Sequence, residues 1–316
     1  MERIKDNLIE ICKMSELGLH TFLSEFVKNN YTRYSITDQY IIAEGNLPVC
    51  LAAHMDTVFN IPPEDFFYDP KEFMLWSPDG LGTDDRAGVY AILEIVLRHK
   101  LKPHLIFTMG EEKGGIGASA LITDFPECPF AELNFIIQLD RQGHNDCVFY
   151  QCDNSTFTKF IKKFGFAYEI GTFTDISIIA PKWNVAAVNL SVGYFNEHTY
   201  TEMLCIKSLA RTINRVVKIL KTENLQSYAY IPKKGNPHGM GQWWSDCRCE
   251  ACNKYIGNTG GIKVRDLLLN DLDFKLCRKC YEDFYGTDDI DLPFEEEPKE
   301  IGLEELKEES LENILV

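Results

Sequence analysis

Short apolar runs alternate with amphipathic segments over roughly the first 220 residues, and this alternation limits the fold more than any other feature. The clearest strand candidates are residues 49–53, 104–109, 134–139 and 185–192, with 40–43 and 148–151 weaker. Segments with helical spacing of apolar residues are 4–27 (broken near Gly18), 86–98, 156–164 and 201–220. The pattern predicts an α/β fold, in which a mostly parallel twisted sheet is flanked by helices.

A residue type that binds metals or moves protons follows each of the four clear strand candidates. In chain order these residues are His54 and Asp56, Glu111 and Glu112, Asp140, and His198. In open α/β sheets the active crevice lies outside the carboxyl ends of the strands. The sequence therefore predicts that these side chains meet at one edge of the sheet.

A fifth segment, GLGTDDRAG at residues 80–88, leads directly into a predicted helix and carries Asp84 and Asp85. Its glycines let the backbone bend sharply, so that a carboxylate there can reach the same edge. Two imidazoles and three carboxylates, one of them shared, suit a pair of divalent ions. Zinc is the expected metal, with cobalt or manganese as alternatives. Such a pair lowers the pKa of a bridging water and polarises a substrate carbonyl.

Five motifs together resemble the di-zinc aminopeptidase and tripeptidase clan of exopeptidases, over about residues 40–220. The motifs are HMDTV at 54–58, GTDDRAG at 82–88, GEEKGGIGA at 110–118, LDRQG at 139–143 and EHTYTEM at 197–203. Their order and spacing both match. The resemblance implies a zinc-exopeptidase-like fold and hydrolysis of peptide or other amide bonds.

The resemblance also implies a role for each motif residue. It assigns His54 and Asp140 to one metal, Glu112 and His198 to the other, and Asp84 to both as a bridge. Glu111 would be the general base. Asp56 would support the far nitrogen of His54, as carboxylates commonly do for metal-bound imidazoles. It further implies a cis peptide bond between Asp84 and Asp85.

The chain departs from larger members of the clan, because 29 residues separate His54 from Asp84 and 57 separate Asp140 from His198. These gaps are too short for a lid or dimerisation domain, which indicates a minimal, lidless form. Aspartate at position 140, where glutamate is the alternative, favours an aminopeptidase. Arg141, Asp175 and Tyr194 are candidate substrate-binding residues; for Arg141 a structural salt bridge is the competing interpretation.

Five of the eleven cysteines lie between Cys247 and Cys280. Cys249 with Cys252, and Cys277 with Cys280, form two Cys-x2-Cys pairs that predict one structural zinc in a ribbon-like module. Cys247 leaves the identity of the first ligand open. We expect residues 1–222 to form the catalytic domain, 223–244 a linker, 245–286 the zinc module and 287–316 an acidic tail.

The formal net charge is −16, and residues 287–316 contribute −10 through twelve acids and two lysines. This balance makes nucleic acid an unlikely partner of the main domain. No apolar run is long enough to span a bilayer and the first residues lack a signal-peptide core, so a cytoplasmic protein without membrane association is expected.

Three functions stay open at this stage. The first is a di-metal exopeptidase, most simply an aminopeptidase acting on peptides. The second keeps the metals but hydrolyses a non-peptide amide, such as an acylated amino acid. The third is a catalytically silent adaptor that binds a protein partner through its zinc module or acidic tail.

Overall fold

The computed structural model describes residues 1–233 and two strands farther along, Ile262–Asp266 and Leu272–Leu276. The helices are α1 Glu2–Cys12, α2 Glu16–Asn30, α3 Thr83–Leu97, α4 Ile116–Asp124, α5 Ser155–Lys162, α6 Ile176–Trp183 and α7 Ile206–Leu220. The strands are β1 Arg33–Ile36, β2 Tyr40–Glu44, β3 Leu47–His54, β4 Phe67–Asp69, β5 Met74–Trp76, β6 Pro103–Thr108, β7 Phe135–Arg141, β8 Asp146–Val148, β9 Ala167–Tyr168, β10 Ala187–Ser191, β11 Tyr194–Phe195, β12 Met203–Cys205, β13 Ile262–Asp266 and β14 Leu272–Leu276.

Eight strands form the main sheet, in the order β1-β2-β6-β3-β7-β10-β8-β9. The four central strands, β6, β3, β7 and β10, run parallel to one another. Strand β2 pairs antiparallel with β6 on one side, and β8 pairs antiparallel with β10 on the other. The sequence predicted these four parallel strands, and the α/β fold class is confirmed.

Alternation along the central strands divides the core into two layers, because successive side chains of a strand point to opposite faces. In β3, Leu51 belongs to the layer formed with α1, α3 and α7, whereas Ala52 belongs to the layer under α4 and α6. Helix α3 approaches the sheet closely at Gly88, where an added Cβ would lie 2.0 Å from the Leu139 carbonyl oxygen. Only glycine allows that approach.

A second, four-stranded sheet has the order β11-β12-β5-β4. Met203 of β12 pairs with Trp76 of β5, and Tyr194 of β11 pairs with Leu204. The loop between β11 and β12 carries Glu197 and His198. This sheet therefore anchors both ends of the loop that contains the last metal-binding motif.

Several element boundaries differ from those predicted from sequence, among them two in helices. The N-terminal helix breaks before Ser15, whose side chain accepts a hydrogen bond from the Gly18 N–H and so begins a new helix, whereas the expected break was near Gly18. Helix α7 begins at Ile206, five residues later than its apolar spacing predicted. Residues 203–205 pair with β5 instead, because strand pairing satisfies their backbone groups.

The chain after α7 continues along the first compact unit, which comprises residues 1–234. The Ala186 N–H donates to the Tyr228 carbonyl oxygen, and Cys152 forms an isolated bridge with Pro232. Residues 235–316 form a second unit, in which β13 pairs antiparallel with β14. The domain boundaries given above remain a prediction. None of the helices in the described residues is long and apolar enough to cross a membrane.

Candidate metal centre

The carboxyl ends of the parallel strands bring the motif residues to one edge of the main sheet. His54 is the last residue of β3 and is 1% exposed, and Asp140 lies near the end of β7. Glu111 and Glu112 follow β6 in a loop that leads to α4. The sheet topology predicts this convergence, because β3 lies between β6 and β7.

Asp84 reaches this edge because the first residues of α3 are not helical. Asp84 has φ −85° and ψ 101°, and a cis peptide bond joins it to Asp85. The Asp85 carboxylate turns toward the backbone, where it accepts hydrogen bonds from the N–H groups of His54 and Gly88. Asp84 is thereby left as the acid that faces the histidines.

The two carboxylate oxygens of Asp84 face two different sets of side chains. Oδ1 lies 3.1 Å from Nε2 of His54, and that nitrogen is 3.6 Å from Oδ1 of Asp140. Oδ2 lies 3.1 Å from Nε2 of His198, and that nitrogen is 3.0 Å from Oε2 of Glu112. One carboxylate thus stands between a His–Asp pair and a His–Glu pair.

Asp140 is held by donors from four directions. Its Oδ1 accepts a hydrogen bond of 3.2 Å from the Tyr194 hydroxyl, and its Oδ2 accepts one of 2.7 Å from Thr174. Gln138 also donates to Oδ2 at 3.1 Å. The Asn189 side-chain oxygen accepts from the Asp140 N–H, while its amide nitrogen donates to the Asp140 carbonyl oxygen. These hydrogen bonds hold Asp140 in position.

Asp56 connects His54 to the loop after β6. Its two oxygens accept hydrogen bonds of 3.2 Å from the N–H groups of Glu111 and Glu112. Its Oδ1 is 3.4 Å from Nδ1 of His54, and its backbone carbonyl oxygen is 3.0 Å from the same nitrogen. Asp56 therefore orients the imidazole and the glutamate loop at once.

Crowding of acids away from water governs the ionisation of the centre. Burial and the neighbouring Asp84 raise the pKa of Asp140 and of Glu112. Burial alone would raise the pKa of Asp84, but hydrogen bonds from His198 and His54 lower it below its usual value. Partial burial favours neutral His198, yet Asp84 and Glu112 outweigh it and raise its pKa to about 11. The cluster attracts positive charge.

The donor set fits divalent metal ions. His54, Asp84 and Glu112 offer ligand atoms that all lie within 4.8 Å of one another, as do His54, Asp85 and Asp140. Oε1 of Glu112 is buried and has no hydrogen-bond partner, which is costly unless a cation faces it. Imidazole nitrogens and carboxylate oxygens are the ligands that zinc binds in such sites.

The three candidate substrate-binding residues lie in different surroundings. Tyr194 is 3% exposed and donates to Asp140. Asp175, at the start of α6, is 1% exposed and accepts a hydrogen bond from Thr108, while its Oδ1 has no partner. Arg141 is partly exposed and donates to the Ile170 carbonyl oxygen at 3.5 Å. No carboxylate lies within 4 Å of Arg141 in the described residues, so these give no support to the salt-bridge interpretation.

Sequence reasoning missed residues that hold the motif residues in place. Glu202 accepts hydrogen bonds from the N–H groups of Gly82, Thr83 and Asp84. Glu202 is the sixth residue of the EHTYTEM motif, and that position in the motif could have indicated a role in the site. Thr174 and the β-strand residues around Asp140 gave no comparable signal, because isolated threonine, asparagine and glutamine are common in ordinary strands and loops.

No protein-family model matches the sequence, and no curated protein matches it. Several solved structures match the fold of this chain. Aminopeptidase PepT from Bacillus cereus aligns with a TM-score of 0.57 and 16% identity, over 69% of this chain and 97% of its own. A tripeptidase from Staphylococcus aureus aligns with a TM-score of 0.57 and 16% identity, over 70% of this chain and 97% of its own. A TET aminopeptidase from a marine-sediment thaumarchaeon aligns with a TM-score of 0.56 and 13% identity, over 71% of this chain and 98% of its own.

This chain has the fold of those peptidases. At 13–16% identity the similarity shows the α/β architecture and nothing finer. The aligned share of 69–71% leaves part of the present chain without a counterpart in them. The four cysteines predicted to bind structural zinc, Cys249, Cys252, Cys277 and Cys280, lie outside the described residues, as does Cys247.

Proposed function

We propose that residues 1–222 are a di-metal hydrolase of peptide bonds, most simply an aminopeptidase. The observation that carries this proposal is the Asp84 carboxylate, whose two oxygens face two separate pairs of ligand-type side chains. A carboxylate so placed is suited to bridge two ions. Solved structures with the same fold are aminopeptidases and a tripeptidase, which supports the reaction class.

The proposed ligand sets are His54 with Asp140 for one ion, His198 with Glu112 for the other, and Asp84 for both. Zinc is the metal we propose, with cobalt or manganese as functional substitutes. When bound, the two ions would lower the pKa of a water molecule and polarise the scissile carbonyl. His198 is 50% exposed at its side chain, so the substrate would approach from its side of the centre.

Glu111 is the proposed general base. Burial raises its pKa well above the usual value, and the charges of Asp140 and Asp175 raise it further despite the opposing effect of His54. A carboxyl group with a raised pKa can take a proton from water and return it to the leaving amine. The hydrogen bond from the Glu111 N–H to Asp56 fixes the backbone from which the side chain extends.

The proposed roles of the other polar residues follow from their contacts. Asp56 would keep His54 in the orientation that presents Nε2 to the metal, since it contacts Nδ1. Tyr194 contacts Asp140 and would position that ligand. Of the three candidates, Arg141 is the one that is partly exposed and positively charged, and it would contact a peptide substrate. Asp175 is fully enclosed and would act by its charge on Glu111.

The deciding experiment compares Glu111→Gln with wild type, both loaded with zinc. Glutamine keeps the size of the side chain but takes up no proton. We expect kcat toward aminoacyl and short peptide substrates to fall by about 10²–10⁴-fold with metal content unchanged. Glu127→Gln, at an exposed position after α4, is the matched control. Wild-type rates in Glu111→Gln would refute the assigned role.

Chelation and substrate choice separate the remaining alternatives. A peptidase should lose activity with a chelator and recover it with zinc, cobalt or manganese. Activity restricted to acyl-amino acids would favour the non-peptide amidase. Failure of every amide substrate, together with about one bound metal per chain, would favour the adaptor.

For the rest of the chain we propose one structural zinc bound by Cys249, Cys252, Cys277 and Cys280, within a module at 245–286. A linker at 223–244 would precede it and an acidic tail at 287–316 would follow. The module or tail is the proposed site for a protein partner, and the protein is proposed to be cytoplasmic. Cys252→Ser should lower zinc content by about one equivalent per chain. An unchanged zinc content would contradict the module.

A further inference from the structure

The solvent-facing side of α7 is almost entirely cationic. Five of the fifteen residues of this helix are not buried, and they are Lys207, Arg211, Asn214, Arg215 and Lys218. The helix contains no aspartate or glutamate. Like charges three or four residues apart on a helix repel one another. Although the chain has 48 acidic and 32 basic residues, α7 therefore carries an unfavourable run of positive charges.

None of these four cations is neutralised by the described part of the chain. No carboxylate oxygen there lies within 4 Å of them, whereas Arg3, Lys13 and Lys28 on α1 and its neighbours all pair with glutamates. Partial burial and the charge of Arg211 lower the pKa of Arg215. Two guanidinium groups are thus close together with no countercharge among residues 1–233.

A neutral side chain holds the two guanidinium groups side by side. Asn145 Oδ1 accepts a hydrogen bond of 2.8 Å from Nη1 of Arg215 and a longer one of 3.4 Å from Nη1 of Arg211. The Arg215 guanidinium also lies over the Phe166 ring, 4.9 Å from its centroid. Each arginine retains N–H groups that Asn145 does not use. The pair is preorganised to receive an anion.

The five exposed or partly exposed residues of α7 line an open groove with a volume of about 570 Å³. Met1 before α1 and the turn after α5, with Lys163, Phe164 and Gly165, also line it. No acidic residue of the described chain lines the groove, and none of its lining residues belongs to the candidate metal centre. Pockets of about 300–1,000 Å³ are the size that binds small molecules.

We propose that this groove binds a small molecule that carries phosphate, with Arg211 and Arg215 as its principal contacts. Guanidinium groups form paired, charge-assisted hydrogen bonds with phosphate oxygens. Lys163, Lys207 and Lys218 add positive charge around the same point, and the partly buried Phe164 offers an apolar surface to the rest of the molecule. The site is independent of the proposed hydrolase function.

A small ligand fits these observations better than a nucleic acid. A duplex presents one charge per roughly 1.7 Å along its axis, so its binding requires cations spread over a long surface. Here the four cations of α7 all line one groove, on a chain whose formal net charge is −16. The concave shape and the neighbouring aromatic ring suit a compact anion with an organic part.

Calorimetric titration of the zinc-loaded, full-length protein with inorganic pyrophosphate and with ADP tests the proposal. We expect saturable binding of one equivalent that weakens as salt is raised, because ions screen the attraction. Arg211→Gln with Arg215→Gln should weaken it by about 100-fold, since each charge-assisted contact contributes about tenfold or more. Tighter binding of ADP than of pyrophosphate would identify a nucleotide-like ligand; equal binding would identify the phosphate group alone.

Three controls make the result specific. Arg33→Gln with Arg98→Gln removes two exposed arginines elsewhere and should leave the affinity unchanged. Lys207→Gln with Lys218→Gln alters only exposed side chains, so it tests the groove if the arginine variant fails to fold. Asp84→Asn, which would impair the proposed metal centre, should still bind ADP. Failure of hydrolysis and failure of this proposal are therefore distinguishable.

Several outcomes would overturn the proposal. These are no saturable binding of either probe, or equal affinity in the wild type and the Arg211/Arg215 double variant. Loss of ADP binding in Asp84→Asn would instead place the anion at the metal centre. Stronger binding of a duplex oligonucleotide or an acidic peptide than of ADP would assign the groove to a macromolecular partner.

Discussion

Glu202 accepts two hydrogen bonds of 2.6 Å from Thr83, one from its backbone N–H and one from its hydroxyl. Asp84 and Asp85 are not helical, so the N–H groups at the start of α3 lack partners within the helix. Glu202 supplies an acceptor for them from a position 119 residues away in sequence. Because it also accepts from the Asp84 N–H, it fixes the acid at the middle of the candidate centre.

Removal of the Glu202 carboxylate should disturb both stability and metal binding. Glu202→Ala leaves the N–H groups of Gly82, Thr83 and Asp84 buried without acceptors, each at a cost of about 1–3 kcal/mol. We expect the free energy of unfolding to fall by about 3 kcal/mol or more, with loss of metal from the Asp84 site. Denaturant titration and metal analysis measure the two effects. Glu127→Ala is the exposed control, and equal stability of both variants would show that Glu202 does not stabilise the start of α3.

Metal stoichiometry should distinguish a bridging ligand from ligands of one ion. If Asp84 serves two ions, Asp84→Asn should weaken both sites. His198→Ala should weaken only the site shared with Glu112, and Asp140→Asn only the site shared with His54. Metal content after dialysis against a weak chelator gives the count, with the cysteine zinc as a constant background. A loss of one equivalent in Asp84→Asn would show that Asp84 does not bridge.

Asp56 should affect rate more than fold. Asp56→Asn keeps an oxygen that can accept one of the N–H groups of Glu111 and Glu112, but it removes the charge beside Nδ1 of His54. Supporting carboxylates of this kind typically contribute about 10–100-fold to metal affinity or activity. We expect a loss of that size in kcat/KM, with a much smaller change in thermal midpoint. Full activity of the variant would exclude the supporting role.

Sequence could predict His54, Asp140 and the glutamate pair at one edge because parallel β-strands end there and carry diagnostic apolar runs. It could not predict how Asp140 is held. Asn189 and Gln138 lie in buried strands, where the apolar pattern does not show which polar residue has a role. Their contacts with Asp140 depend on the register between β7 and β10. Helix α7 shows the same limit, since its apolar spacing continues into residues that pair with β5 instead.

His104 should make folding stability depend on pH. The ring is 3% exposed; its Nδ1 accepts a hydrogen bond from the Gly45 N–H, and its Nε2 lies 2.8 Å from the Glu132 carbonyl oxygen. Both nitrogens are therefore satisfied only in the neutral form, and a proton on Nδ1 would face the Gly45 N–H. Burial is the main cause that lowers the pKa of His104 below its usual 6.5 in the folded protein.

A folded-state pKa below the unfolded value means that the unfolded chain binds the proton more readily. The stability that neutral His104 contributes is thus complete above about pH 6.5 and is lost as the pH falls through the lowered folded pKa. His104→Gln retains a donor and an acceptor but does not titrate, so its free energy of unfolding should fall less than that of wild type between pH 7.5 and 5.5. His99→Gln, at a partly exposed position after α3, is the matched histidine control. Denaturant titrations at both pH values measure the difference, and parallel losses in His104→Gln and wild type would show that His104 titrates alike in the folded and unfolded chain.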